Sequence, residues 1–179
     1  ALEEPKRPVL ALVGGAKVST KLDLLANLVT KVDILVLGGG MANTFVAARG
    51  GSVGASLYEP DKLDAAREVE KAAEASGCRI LLPSDGIMSA EFAANPETTT
   101  GPSDNIGDGL MMLDIGPDSI AEISEAIKGC KTVVWNGPMG AFEMEPFDQG
   151  TIGVGKTVAA LTKDGSILSV AGGGDTVAA

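Results

Sequence analysis

Two lysines and one acid stand where their spacing could do chemistry: Lys17, Lys21 and Asp175. Lys17 and Lys21 follow a turn of Gly14, Gly15 and Ala16. They stand four residues apart, a spacing that puts two side chains on one face of a helix. Asp175 follows Gly172, Gly173 and Gly174 and precedes Thr176. The apolar run before it, residues 167–171, reads as a buried strand, and the residues after it read as a helix start. A strand that breaks into glycines and enters a helix leaves backbone N–H groups unpaired and aimed outward, and the helix dipole adds to that positive field. Such a turn is an anion site. A carboxylate beside it is unfavourable unless a cation such as Mg²⁺ lies between, so the stretch reads as a metal–phosphate site with Asp175 as the metal ligand.

Composition narrows the classes. The formal net charge of −10 argues against a nucleic-acid surface or an anionic membrane surface. An anionic ligand must then be held by a few placed lysines and by backbone amides. The chain has no His, which removes imidazole-based triads, imidazole zinc sites and the usual proton shuttle at neutral pH. Its two cysteines, Cys78 and Cys130, match no metal or redox spacing and read as free buried thiols in a reducing compartment. No apolar run reaches the ~20 residues of a membrane span and no signal peptide opens the sequence, so a soluble cytoplasmic protein is expected.

The elements that position these groups follow from hydrophobic pattern. A continuous apolar run at 8–13 reads as a strand buried on both faces, 32–37 and 167–171 as further buried strands, and 79–82, 111–115 and 132–135 as three more strands, six in all. Helical patterns at 17–30, 41–48, 60–76, 117–128 and 147–162 separate them. Residues 84–109 read as a polar excursion, partly hairpin. The expected fold is α/β: a three-layer α/β/α sandwich with a mostly parallel, six-stranded, Rossmann-like sheet, occupying residues 8–179 after a polar linker at 1–7. Ligands bind outside the carboxyl ends of strands in such sheets. Four Gly-rich turns fall there: 14–16, 38–40, 136–140 and 172–174. Glycines at any one of them need mean no more than a tight turn, but four on one edge point to a phosphate-bearing ligand.

Residues 150–157 read GTIGVGKT, a literal match to the P-loop pattern. That pattern works mechanically only directly after a strand, and no apolar run precedes it, so Lys156 and Thr157 are expected on a helix surface. A P-loop nucleotide hydrolase using residues 150–157, or a non-catalytic scaffold whose glycine turns are purely structural, are the competing readings.

Taken together, the motifs GGAKVSTK at 14–21, GGGMA at 38–42, LDIGP at 113–117, WNGPMGAFE at 135–143 and GGGDT at 172–176 resemble the carboxyl-terminal half of phosphoglycerate kinases, in the family's order and along nearly the whole chain. The resemblance implies phosphoryl transfer between 1,3-bisphosphoglycerate and ADP, with the magnesium nucleotide on this half and phosphoglycerate on a first domain that has no counterpart in these residues. Lys17 and Lys21 resemble the two phosphate-contacting lysines. Gly173, Gly174, Asp175 and Thr176 resemble the amide nest and metal ligand at the transferred group, and Glu143 resembles the carboxylate that holds the ribose hydroxyls. Asn136 and Pro138 match residues lining phosphate and ribose. Gly14, Gly15, Gly38, Gly39, Leu57, Leu113 and Ala141 match the adenine slot. Met112 stands where many members have glycine, and Ala141 where many have valine. The resemblance further implies a monomer that binds ADP or ATP with Mg²⁺, turns over little or nothing alone, and ends inside a helix after Asp175. Phosphoryl transfer needs positioning and charge neutralisation more than proton transfer, which suits a site without His.

Overall fold

Every residue of Val9–Val13, the first strand (β1), is buried, and alternate side chains enter two different cores. Val9, Ala11 and Val13 pack on one face of the sheet and Leu10 and Leu12 on the other. This computed structural model describes residues 3–179. After β1 come α1 (Leu22–Leu28), β2 (Ile34–Leu37), α2 (Gly39–Ala48), β3 (Ser52–Val53) and α3 (Leu63–Ser76), the last entered through a 3-10 turn at Pro60–Lys62. Then follow β4 (Arg79–Leu81), β5 (Asp85–Ser89), β6 (Thr99–Pro102), β7 (Asn105–Ile106), β8 (Met111–Ile115), α4 (Pro117–Lys128), β9 (Thr132–Asn136), α5 (Gln149–Lys163), β10 (Leu168–Gly172) and α6 (Gly174–Ala178).

The central sheet is wholly parallel, in the order β10-β9-β1-β2-β4. Helices α1, α2 and α3 cover the Val9 face through Leu25, Phe45 and Val69, and α4 and α5 cover the Leu10 face through Ile123, Ile127 and Val154. The α/β class and the three layers are as the sequence implies. The strand count is not: the sheet has five strands, because Met111–Ile115 pairs antiparallel with β5 in a separate three-stranded sheet, β6-β5-β8. A parallel neighbour needs a crossover helix, and residues 83–110 supply only strands and turns between β4 and β8. A buried apolar run does not say which sheet it joins. Strand β10 is a second correction. It is an edge strand rather than a buried one, with Leu168 62% and Val170 42% exposed, because it pairs only with β9. The expected linker at 1–7 lies partly outside the described residues; of the rest, Lys6 offers its carbonyl to Thr132 Oγ1 at 2.7 Å and Arg7 bonds Asp33 at 2.9 Å.

The carboxyl ends of four strands lie level: Val13 is opposite both Leu37 and Asn136, and Gly172 is opposite Asn136. The four Gly-rich turns therefore stand in one row. Their rigidity depends on the core beneath. Leu12 is fully buried between the sheet and the α4–α5 layer, and Leu12→Ala should cost about 2–5 kcal/mol, read as a lower urea midpoint with an unchanged denaturant slope.

Candidate nucleotide site

The row of turns is stitched together by main-chain hydrogen bonds. Gly14 N donates to Asn136 O (2.9 Å), Gly39 N to Met139 O (3.1 Å) and Met41 N to Gly15 O (3.0 Å). These bonds consume amides at the start of α2, so the 38–40 turn forms a floor rather than an open anion nest. Side chains add ties: Met139 N donates to Thr151 Oγ1 (3.0 Å) and Gly137 N to Thr176 Oγ1 (2.6 Å). Gly14 is required by close approach, since a Cβ there would fall 1.8 Å from the Pro138 carbonyl oxygen.

Above this floor opens a cavity of about 430 Å³. Its lining comes from Met111, Met112, Leu113 and Asp114 of β8, from Gly15, Ala16, Gly39, Gly40 and Leu57, and from Pro138, Ala141 and Glu143. The lining is largely apolar, with carboxylates at its margins: exposed Glu143 on the 137–143 loop and exposed Asp175 in the first turn of α6. Leu57 is 58% exposed and is steered by Asn43, whose Nδ2 donates to the Leu57 carbonyl at 3.1 Å.

Lys21 stands behind Gly15 in the shell around the cavity, where a Cβ on Gly15 would lie 3.4 Å from its Nζ. Its Nζ donates to Gly14 O at 2.6 Å and to Asn136 Oδ1 at 2.8 Å. Two of the three ammonium donors are thus used within the protein. Gly137 leaves room for this group: it has φ +94°, and a Cβ on it would stand 3.0 Å from Nζ. Partial burial lowers the Lys21 pKa, and the negative charge of Asp175 opposes that shift. Asn136 also donates to the Gly172 carbonyl at 3.2 Å, which links Lys21 to the last glycine turn.

The structure brings together Gly15, Ala16, Gly39, Leu57, Leu113, Pro138, Ala141, Glu143 and Asp175 around one cavity, with Gly14, Lys21, Gly38, Asn136, Gly172, Gly173 and Thr176 in its supporting shell. Gly174 begins α6 beside Asp175. Lys17 stands apart. It is exposed and does not line the cavity. The expected helix at 17–30 starts only at Leu22, so Lys17 and Lys21 do not share a helical face. Residues 14–21 stay irregular because Glu59 binds Ser19 from outside, through Ser19 N (3.1 Å) and Ser19 Oγ (2.5 Å). The P-loop reading also fails: residues 150–157 lie inside α5, with Lys156 exposed and Thr157 bonded to Ser124 of α4 at 3.0 Å.

The residues sequence reading missed are Phe92, Asn43 and the buried carboxylate of Asp114. Phe92 comes from the polar excursion and gives no pattern signal. Asn43 in an apolar helix and Asp114 in an apolar strand do, since a lone polar group in a buried run needs partners. Asp114 is 2% exposed, and its Oδ2 accepts from Gly150 N at 2.7 Å while Oδ1 accepts from Ile115 N at 2.9 Å. Burial pushes its pKa up to about 7. The folded state therefore holds a proton that the unfolded chain releases near pH 4. The stability this contributes is present at low pH and is lost as pH rises from about 4 to about 7. Urea titrations at pH 5 and pH 8 should show wild type falling relative to Asp114→Asn by about 2 kcal/mol.

Among the described residues no cluster of three acids, cysteines or histidines could hold a metal by itself, and no helix is long and apolar enough to cross a membrane. Against known proteins, the sequence model of the family described as phosphoglycerate kinase matches residues 1–179. A phosphoglycerate kinase of Rhodospirillum centenum is 62% identical over 179 residues, which is 100% of this chain and 45% of that protein. One of Methylobacterium radiotolerans is 60% identical over 178 residues, 99% of this chain and 44% of that protein. The solved phosphoglycerate kinase of Coxiella burnetii superposes with a TM-score of 0.93 at 42% identity, over 99% of this chain and 45% of that one. That of Pyrococcus horikoshii gives 0.80 at 27% identity, over 99% and 44%. The chain thus spans somewhat under half the length of the curated relatives it matches.

Proposed function

This chain belongs to the phosphoglycerate kinase family, and from that premise we propose that it forms the nucleotide-binding half of a phosphotransferase that moves a phosphoryl group between 1,3-bisphosphoglycerate and ADP. The observation that carries this reading is the single cavity with two chemically different ends. Its apolar interior, walled by Leu57, Leu113 and Ala141, suits a purine base. Glu143 at the margin suits the ribose hydroxyls as an acceptor. Lys21, Asn136 and the 172–176 turn mark the phosphate end.

At that end the positive charge rests on Lys21. Helix α6 spans five residues and carries little macrodipole. The third N–H of Lys21 is the donor left for a phosphate oxygen. Lys17, on the exposed loop before α1, stands where it meets phosphate only when the nucleotide or the other half of the enzyme draws that loop in. Asp175 fits magnesium, which takes one or two protein carboxylates and completes its shell with phosphate oxygens and water. When bound with the nucleotide, the ion neutralises phosphate charge. Residues 8–179 act as one domain, with 1–7 as the entering linker, in a monomeric cytoplasmic enzyme. Phosphoglycerate binds on the other half, so these residues alone place one substrate and turn over little or nothing.

Calorimetric titration with ADP, with magnesium and with a chelator in its place, tests this reading. One site per chain is expected, several-fold tighter with magnesium, and Asp175→Asn should remove the magnesium dependence. Folded protein that gives no heat with Mg-ADP would overturn it.

A further inference from the structure

The Asp114 carboxylate sits where three separate elements meet. It projects from β8, the strand that gives the cavity its Met111–Leu113 wall. It accepts from Gly150 N in the first turn of α5 and from Ile115 N. It also fills the space beside two glycines: a Cβ on Gly140 of the 137–143 loop, or on Gly150, would lie 2.3 Å from Asp114 Oδ1. Neighbouring bonds pass the same connection onward. Ala141 N donates to Leu113 O at 2.8 Å, and Thr151, next to Gly150, accepts from Met139 N at 3.0 Å. The charged group facing Asp114 is Asp148, just before α5; Ile87, its partner across the strand pair, and Gly140 bring no charge.

We propose that Asp114 is a positioning residue: it locks β8 to the start of α5 and to the 137–143 loop, and so fixes where Leu113 and Ala141, themselves joined by a main-chain hydrogen bond, stand in the base slot. This rests on the nucleotide reading above and deepens it by assigning base placement to a group at the back of the slot. A hydrophobic strand with one buried carboxylate is otherwise a costly arrangement, acceptable because both oxygens are hydrogen-bonded. Removing the carboxylate frees β8 and the 137–143 loop, which line the cavity, from the start of α5 behind them, while Lys21, Asn136 and the 172–176 turn keep their own bonds.

The test is a pair of titrations, Mg-ADP and Mg-pyrophosphate, on wild type and Asp114→Asn. Asn keeps one acceptor oxygen but turns an NH₂ group toward a backbone N–H. The expected result is a roughly ten-fold loss of ADP affinity with pyrophosphate affinity within about two-fold. Equal affinities for both proteins, or parallel losses for both ligands, would overturn the inference, since a merely structural role moves both together. Should Asp114→Asn fail to fold, Gly150→Ala decides by the same split, because it crowds the carboxylate from the side away from the slot. If wild type binds pyrophosphate but not ADP, the nucleotide reading fails and this inference with it. Wild type that binds both, with unchanged variants, sinks the Asp114 role alone.

Discussion

Lys21→Ala should weaken Mg-ADP binding on the order of 30- to 150-fold, while Lys156→Ala should leave it unchanged. The size follows from the chemistry of the group. A charge-assisted hydrogen bond to phosphate contributes about 2–3 kcal/mol, and that free energy corresponds to this range of affinity. Lys21 is held at its post by Gly14 O and Asn136 Oδ1, so its entropy is already restricted in the free protein and little is lost on binding. Lys156 projects from the middle of α5 into solvent, far from any strand-to-helix loop. The two variants separate the two nucleotide readings of the sequence cleanly. Loss of binding in Lys156→Ala with Lys21→Ala intact would reverse the assignment.

Gly14→Ala is the second large effect, and it acts on the backbone rather than on charge. The new methyl would lie 1.8 Å from the Pro138 carbonyl oxygen and 2.7 Å from its carbonyl carbon. No rotamer change relieves a clash with main chain, so one of the two turns must move. We expect a loss of about 3 kcal/mol in urea unfolding, at the upper end of overpacking costs. ADP affinity should fall as well, because Gly15, next to Gly14, and Pro138 both line the cavity. Gly129→Ala is the control, since a Cβ there makes only an ordinary 3.6 Å contact with the Ala126 carbonyl oxygen and the residue does not line the cavity. A Gly14→Ala protein within about 0.5 kcal/mol of wild type would show that the two turns are not in rigid contact.

How much of this was legible beforehand depends on how local each signal is. Pro117 and Lys128 bound a helix in both sequence and structure, because proline at the first turn is a chemical marker that does not depend on the rest of the fold. Gly77 ends α3 in the left-handed conformation for the same local reason. The row of glycine turns was legible because strand ends and glycines are both visible in one sequence. Partnership was not. Met111–Ile115 has the apolar character of a central strand, yet its partner is set by the absence of a crossover helix before it. Likewise the apolar side of the 17–30 pattern, Val18, Leu22, Leu25 and Val29, faces the core, with Leu22 half-buried and the others buried, but the helix begins late because Glu59, forty residues on, satisfies Ser19 instead. Residues 167–171 read as a buried strand from their own types, while the exposure of β10 follows from its place at the sheet edge with β9 as its one partner.

The cavity is lined both by motif residues such as Gly15, Gly39, Leu113 and Glu143 and by residues no motif marks, Asn43 and Phe92. Asp114 was visible as part of a motif, but its burial and its grip on Gly150 arise from a contact between β8 and α5 that no spacing encodes. Phe92 reaches the cavity from the excursion between β5 and β6, where side-chain direction is set by the hairpin and not by periodicity.

The central claim is that one nucleotide occupies the cavity between β8 and the four glycine turns. The most direct measurement is backbone amide NMR of this chain during titration with Mg-ADP. The amides of Gly15, Gly39, Leu113, Ala141 and Glu143 should shift together and saturate at one nucleotide per chain, with residues 153–163 of α5 unmoved. Shifts confined to residues 150–157, or no shifts in folded protein at saturating Mg-ADP, would contradict the account.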